Sequence, residues 1–185
     1  MNVTEAELDA ELERFGEHRI RIVSELAQQG TKDCVGTALV LALGSRETHL
    51  TNIVGDDGHG RGWLQIDDRL HASWLNAHAG CRDGTWVARY LSALPPGRVP
   101  TLAASIMRAI EILDGNLAFA EMRRVPEDQR VRFAVAAYNC GPRGAIKGLA
   151  NGGVDSLTAG HDYSADVLAR QEAVARFLAR NSMPA

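Results

Sequence analysis

The apolar positions fall into a few helical stretches with one glycine-rich interruption between them. Thr4 followed by Glu7 reads as a capping box, and behind it Leu8, Leu12, Phe15, Ile20, Ile22, Val23 and Leu26 recur at roughly helical spacing, with Gly16 as a break. This predicts an N-terminal helical arm over residues 1–30, ended by "QQGTKD", followed by the main domain over 31–185. The arm either packs on that domain or acts as a short leader. Asp33 stands where it can cap "CVGTALVLALGSRE", which is apolar almost all round and reads as the fully buried central helix.

Alternate glycines at Gly58, Gly60 and Gly62 then stop any helix and predict a tight irregular loop or short hairpin, with "WLQI" as one small strand. "DRLHASWLNAHAG" returns to a short helical pattern, and "LPPGRVP" reads as a linker. A long helix follows, striped by Leu102, Ile106, Ile110, Leu113 and Leu117. Pro126 suits the first turn of the next helix, which Gly141 and Pro142 are expected to stop, leaving "RGAIKGLANGG" as a short Gly-rich piece. Ser164 is the expected cap of a docked C-terminal helix carrying Val167, Leu168, Val174, Phe177 and Leu178. The predicted class is mainly α, an α+β arrangement with a small β excursion after Glu47.

Composition narrows the partners. The chain has 185 residues, 45% of them hydrophobic, which is enough for one domain with a real core and a small appendage. Its net charge of -3, with 20 basic residues scattered among 23 acidic ones, argues against nucleic acid as the partner. No apolar run approaches the length of a membrane span, so no membrane insertion is expected, and the protein is expected to act as a monomer. Cys34, Cys81 and Cys140 have neither a paired framework nor metal-type spacing, and buried free thiols are the expectation. The N-terminus is acidic and amphipathic, unlike a secretory signal.

The chemistry gathers around Glu47, less than two helical turns beyond the apolar run. A carboxyl leaving apolar packing for a cleft loses hydration when ionised, so its pKa rises and it becomes a candidate general acid. The alternative is a capping glutamate, or one paired with Arg46. Asp56, Asp57, Asp67 and Asp68 flank the glycine-rich turn, so the chain can fold one back opposite Glu47. Two carboxyls across a glycosidic bond divide the work between protonating the leaving oxygen and orienting water. Calcium is the competing use of such aspartates, but the order of ligands is not that of an EF-hand, and no zinc set or phosphate-loop ending is present. No cofactor or metal is expected. Tyr138 reads either as a core aromatic or as a fixed donor, Asn139 as a helix cap or a ligand to an N-acetyl group, and His71 as a surface or a cleft residue.

Four blocks in order, "SRETH", "GDDGHGRGWLQID", "AVAAYNCGP" and "DYSADVLAR", resemble goose-type lysozyme and the soluble lytic transglycosylases of the same glycoside hydrolase family. The resemblance runs from about Asp33 to Phe177 and implies a lysozyme-like fold. It implies Glu47 as catalytic acid and Asp56 and Asp67 as the carboxylates that handle the attacking water. It also implies that Gln65, His71, Tyr138, Asn139 and Tyr163 line the substrate cleft. Two departures stand out. "GWLQ" replaces the commoner "GLMQ", adding the bulk of Trp63, and the paired N-terminal cysteines of the vertebrate proteins are missing, as in a bacterial or phage version.

The resulting expectation is a muramidase that cleaves the β-1,4 bond between N-acetylmuramic acid and N-acetylglucosamine in peptidoglycan glycan strands. Inverting hydrolysis asks for carboxyls about 6.5 to 9.5 Å apart, with Asp67 leading and Asp56 in support. The alternatives are a lytic transglycosylase giving 1,6-anhydro ends, a chitinase acting on chitin oligomers, and a non-catalytic cell-wall-binding or phage structural module. The expected place of action is the cell wall, periplasmic or extracellular, reached as a phage endolysin or by non-classical export.

Overall fold

The computed structural model describes residues 3–30, 34–78 and 99–183, so Asp33, Cys81 and all but the end of the predicted linker lie outside the described residues. The capping box forms: the Thr4 hydroxyl accepts from the Glu7 amide at 3.2 Å, and the Glu7 carboxylate accepts from the Thr4 amide at 2.8 Å. It opens α1 (Glu5–Phe15), which Gly16 separates from α2 (Glu17–Ala27). Leu8, Leu12, Phe15, Ile20 and Val23 of this arm enter the same apolar cluster as the central helix, so the arm is part of the core.

The central helix, α3, runs Thr37–Thr48 and is buried from Thr37 through Ser45. Its N-cap is Gly36, with no side-chain cap, so the helix begins later than the pattern suggested. Hydrophobic enclosure replaces capping as its main support. At Gly44 a Cβ would lie 2.3 Å from the Trp63 indole, which is fully buried and also packs 5.2 Å from the Phe15 ring, centroid to centroid. The bulk of Trp63 therefore goes into the core and against the arm, and the groove is not narrowed by it.

A three-stranded antiparallel sheet follows: β1 (Val54–Gly55), β2 (Gly60–Arg61) and β3 (Ile66–Asp67), in that order across the sheet. Val54 pairs with Arg61, and Gly60 with Asp67. The predicted "WLQI" strand is not one: Trp63, Leu64 and Gln65 form the turn between β2 and β3, and only Ile66 is in a strand. Gln65, at φ 48°, turns the chain there.

Helix α4 (Asp68–His78) bends at His71, and α5 (Leu102–Met122) buries the predicted stripe. Helix α6 (Arg130–Ala150) breaks at Gly141 (φ 73°, ψ 157°) and resumes at once with Pro142 in its second segment. The Gly-Pro pair thus redirects the helix where a stop was expected, and most of "RGAIKGLANGG" is helical. Helix α7 (Tyr163–Arg180) is preceded by Asp162. Ser164 does not cap it, because it already lies within the first turn; its hydroxyl donates to Asp155 at 2.5 Å. Cys140 is half-buried, but Cys34 is exposed on the turn before α3, since that helix starts three residues later. Helix α3 packs against α7 and α2, and α5 packs against α6, with the sheet at one side of the central helix's C-terminal end. Among the described residues, no helix is long and apolar enough to cross a membrane.

Candidate active site

Glu47 lies in the last turn of α3, at the point where burial gives way to a groove of about 750 Å³. Burial pushes its carboxyl up to about 7, and the negative charge of Asp56 adds to this. The Tyr163 hydroxyl, which donates to Glu47 Oε1, and the charge of Arg46 pull the other way but do not prevail. Desolvation wins because, among the described residues, the carboxyl has one donor, Tyr163, and no ion pair to offset its lost water. Arg46, the alternative partner, is engaged elsewhere: it pairs with Asp162 and Asp166, each at 3.1 Å, and its guanidinium lies 5.6 Å from the Tyr163 ring centre.

The four aspartates separate into two groups. Asp56 and Asp67 line the groove with Glu47. Asp68 instead staples β2 to α4, accepting from Arg61 at 2.7 Å and from His59 at 2.8 Å, and Asp57 is exposed outside the groove lining. Arg69, which the sequence did not single out, joins the first pair: its NH2 reaches Asp56 Oδ2 at 2.5 Å and Asp67 Oδ2 at 2.6 Å. Asp67 Oδ1 also accepts from the Arg69 amide at 2.8 Å and from Nε at 3.0 Å. The Arg69 guanidinium holds the Asp67 carboxyl below the usual carboxylate range. Asp56 is engaged through one oxygen, and its Oδ1 has no hydrogen-bond partner among the described residues.

Gln65 spans the sheet. Its Nε2 donates to the Gly62 carbonyl at 2.7 Å, and its Oε1 lies within 2.1 Å of where a Cβ on Gly60 would sit. Only a glycine there lets the amide lie over the strand. Tyr138 donates its hydroxyl to the Leu64 carbonyl at 2.9 Å, tying α6 to the turn, and burial raises its pKa well above the ordinary phenol value. Asn139, at the groove edge just before the Gly141 break, accepts from the Ala159 amide at 2.8 Å, so it pins a loop and does not cap its own helix.

The opposite wall comes from α5, through Arg108, Glu111, Ile112 and Gly115. Sequence reasoning missed this face, although its i, i+3, i+4, i+7 spacing opposite the Leu102 to Leu117 stripe is a helical signal. His71 meets this wall: its Nδ1 lies 2.9 Å from Arg108 NH2. Of the residues expected in the cleft, Glu47, Asp56, Asp67, Gln65, His71, Tyr138 and Asn139 line it directly, and Tyr163 reaches it through Glu47. Among the described residues no three His, Cys, Asp or Glu side chains are gathered as a metal ion would need, and the groove aspartates face a guanidinium.

No family model matches the chain. Curated relatives do: lysozyme g of Struthio camelus is 29% identical over 150 residues, spanning 77% of this chain and 60% of that protein. Lysozyme G of Dromaius novaehollandiae is 27% identical over 150 residues, with the same shares of both chains. Lysozyme g of Gallus gallus is 28% identical over 146 residues, which is 75% of this chain and 56% of its own. The match thus covers about 60% of the length of the curated relatives. Over three-quarters of its length, and with the mainly helical fold expected of such a protein, this chain is similar to the goose-type lysozymes.

Proposed function

We propose that the protein is a muramidase that hydrolyses the β-1,4 bond between N-acetylmuramic acid and N-acetylglucosamine in cell-wall peptidoglycan. The observation that carries this reading is a half-buried Glu47 carboxyl, with its pKa raised to about 7, opening onto the same groove as the two aspartates that Arg69 holds together. Glu47 gives its proton to the glycosidic oxygen, and Tyr163, fixed on Oε1, leaves the other oxygen as the donor. As the bond lengthens, positive charge grows on the sugar ring, and the carboxylates across the groove stabilise it.

In this reading the water belongs to Asp56, which the count of free oxygens supports. Asp67 has both oxygens filled by Arg69, whereas Asp56 keeps Oδ1 to accept a proton from water. Asp67 and Arg69 then act as the strut that aims Asp56. This reverses the order expected from the sequence. One observation favours a second reading, lytic transglycosylation: Arg69 engages both aspartates, and that reaction needs no enzymic base because the muramic acid's own hydroxyl attacks.

Mass spectrometry of fragments from purified peptidoglycan separates the two. Hydrolysis predicts reducing ends, a loss of at least ~100-fold in rate for Asp56→Asn as expected for a general base, and a smaller loss for Asp67→Asn. Anhydro ends together with an unimpaired Asp56→Asn variant would establish transglycosylation in its place. The same assay on chitin oligomers reads whether the lactyl ether is required.

A further inference from the structure

His71 lies at the bend of α4, where its backbone leaves helical geometry (φ -123°, ψ 24°) and the ring turns towards α5. Arg108 NH2 approaches Nδ1 at 2.9 Å. A guanidinium has only donors, so the hydrogen bond exists only if Nδ1 presents a lone pair. An imidazolium would set two donors against each other at that distance. The neutral ring must therefore carry its proton on Nε2, which has no hydrogen-bond partner among the described residues and is not sealed from solvent.

Arg108 is itself held in place. Its NH1 donates to Glu111 at 2.6 Å, and the guanidinium lies 5.7 Å from the Trp74 ring centre. Among the described residues, the charged groups that line the groove with the ring are Glu47 on α3, Asp56 before β2, Asp67 on β3, Arg69 on α4, and Arg108 and Glu111 on α5, of which Arg108 and Asp67 act on the ring most directly. Burial and then the Arg108 charge push the His71 pKa below its ordinary value, against the opposing charge of Asp67.

We propose that Arg108 is a positioning residue that fixes His71 as the neutral Nε2–H tautomer, giving the groove a constant N–H donor for a carbonyl or hydroxyl oxygen of a bound N-acetylated glycan. The glycan half of this rests on the function proposed above. The tautomer half does not, because it follows from the donor inventory of two side chains. The device lets one face of the groove keep the same hydrogen-bonding pattern while Glu47 titrates on the other.

Long-range 1H–15N spectra of the labelled protein test it, with the His71 signals assigned by their loss in His71→Gln. The parent shows a protonated Nε2 and an unprotonated Nδ1, and the ring begins to titrate only below the ordinary histidine range. Arg108→Met lets the ring titrate at higher pH and populate both neutral tautomers, while Arg108→Lys, which still donates, keeps the parent signature. With tri-N-acetylchitotriose as probe, the affinity of Arg108→Met relative to the parent falls by up to about twofold between about pH 5.5 and about pH 8, as the cationic donor gives way to mixed tautomers of which about half or more still present Nε2–H. A parent protonated at Nδ1, or a His71 titration unchanged in Arg108→Met, overturns the proposal and leaves the glycan reading intact. A parent with the expected tautomer but no affinity for the oligomer overturns the donor's assigned role along with the glycan reading.

Discussion

Glu47→Gln lowers the rate of wall hydrolysis by about 10²- to 10⁴-fold, the range spanned by general acid catalysis, and at the same time makes the protein more stable above neutral pH. Both effects have one cause. The carboxyl's ordinary value of 4.5 becomes about 7 in the fold. Between those values the folded protein holds a proton that the unfolded chain has released, so stability falls as pH rises through that window. Above it the parent carries the full penalty of an ionised, poorly hydrated carboxylate, about 3 kcal/mol for a displacement of this size. Gln cannot ionise, and its side-chain oxygen can still accept from Tyr163. The variant should therefore unfold at higher urea than the parent at alkaline pH and at about the same urea well below the ordinary carboxylate value. For the parent, kcat/KM should decline above about pH 7, as its acid loses the proton it must donate. A variant that is inactive and also less stable at alkaline pH would mean that Glu47 is a structural carboxylate.

Asp166→Ala is the expected worst case for stability. Asp166 Oδ2 accepts from Arg170 Nε at 2.9 Å and from Arg46 NH1 at 3.1 Å, with the Asp166 and Arg170 side chains only 1% and 3% exposed. Arg170 also donates to Ser45 Oγ at 2.7 Å, and the Ser45 hydroxyl donates to the buried Glu11 on the arm at 2.6 Å. The network runs from α1 through α3 to α7. Removing its central carboxylate strands a buried guanidinium, at a cost of about 3 to 5 kcal/mol, a large part of an ordinary domain's margin of 5 to 15 kcal/mol or so. Activity should fall as well, because Arg46 loses a tether and it is Arg46 that lies over the Tyr163 ring. Urea unfolding of the parent and variant measures the first effect. A change under about 1 kcal/mol, typical of surface ion pairs, would show that the network is dispensable.

What could be read in the sequence follows the range of the forces involved. The long-helix stripe from Leu102 to Leu117 and the all-round apolar α3 were legible because periodicity and hydrophobic density are local properties. Glu47 was legible for the same reason, since it is the first carboxyl after the apolar run. Asp68 and Asp56 could not be told apart in this way. The one faces Arg61 and His59, the other faces Arg69 and the groove, and only the folded hairpin decides between them. The "WLQI" segment has strand composition, yet Trp63 is buried against Gly44 and Phe15, contacts made across 19 and 48 residues of chain that fix it in a turn. Ser164 has the chemistry of a cap, but the helix starts one residue before it, and its hydroxyl donates instead to Asp155, a partner nine residues back in the chain. Arg69 and Arg108 were missed because a long cation reads as surface until its partners are known.

The most direct test of the account is a titration of the Glu47 carboxyl itself. In 13C spectra of glutamate-labelled protein, the Glu47 signal, identified by its loss in Glu47→Gln, should shift with a midpoint at about 7. A midpoint at the ordinary carboxylate value of 4.5 would mean that the side chain is hydrated and ionised at neutral pH, and it would remove the proton on which the proposed reaction depends.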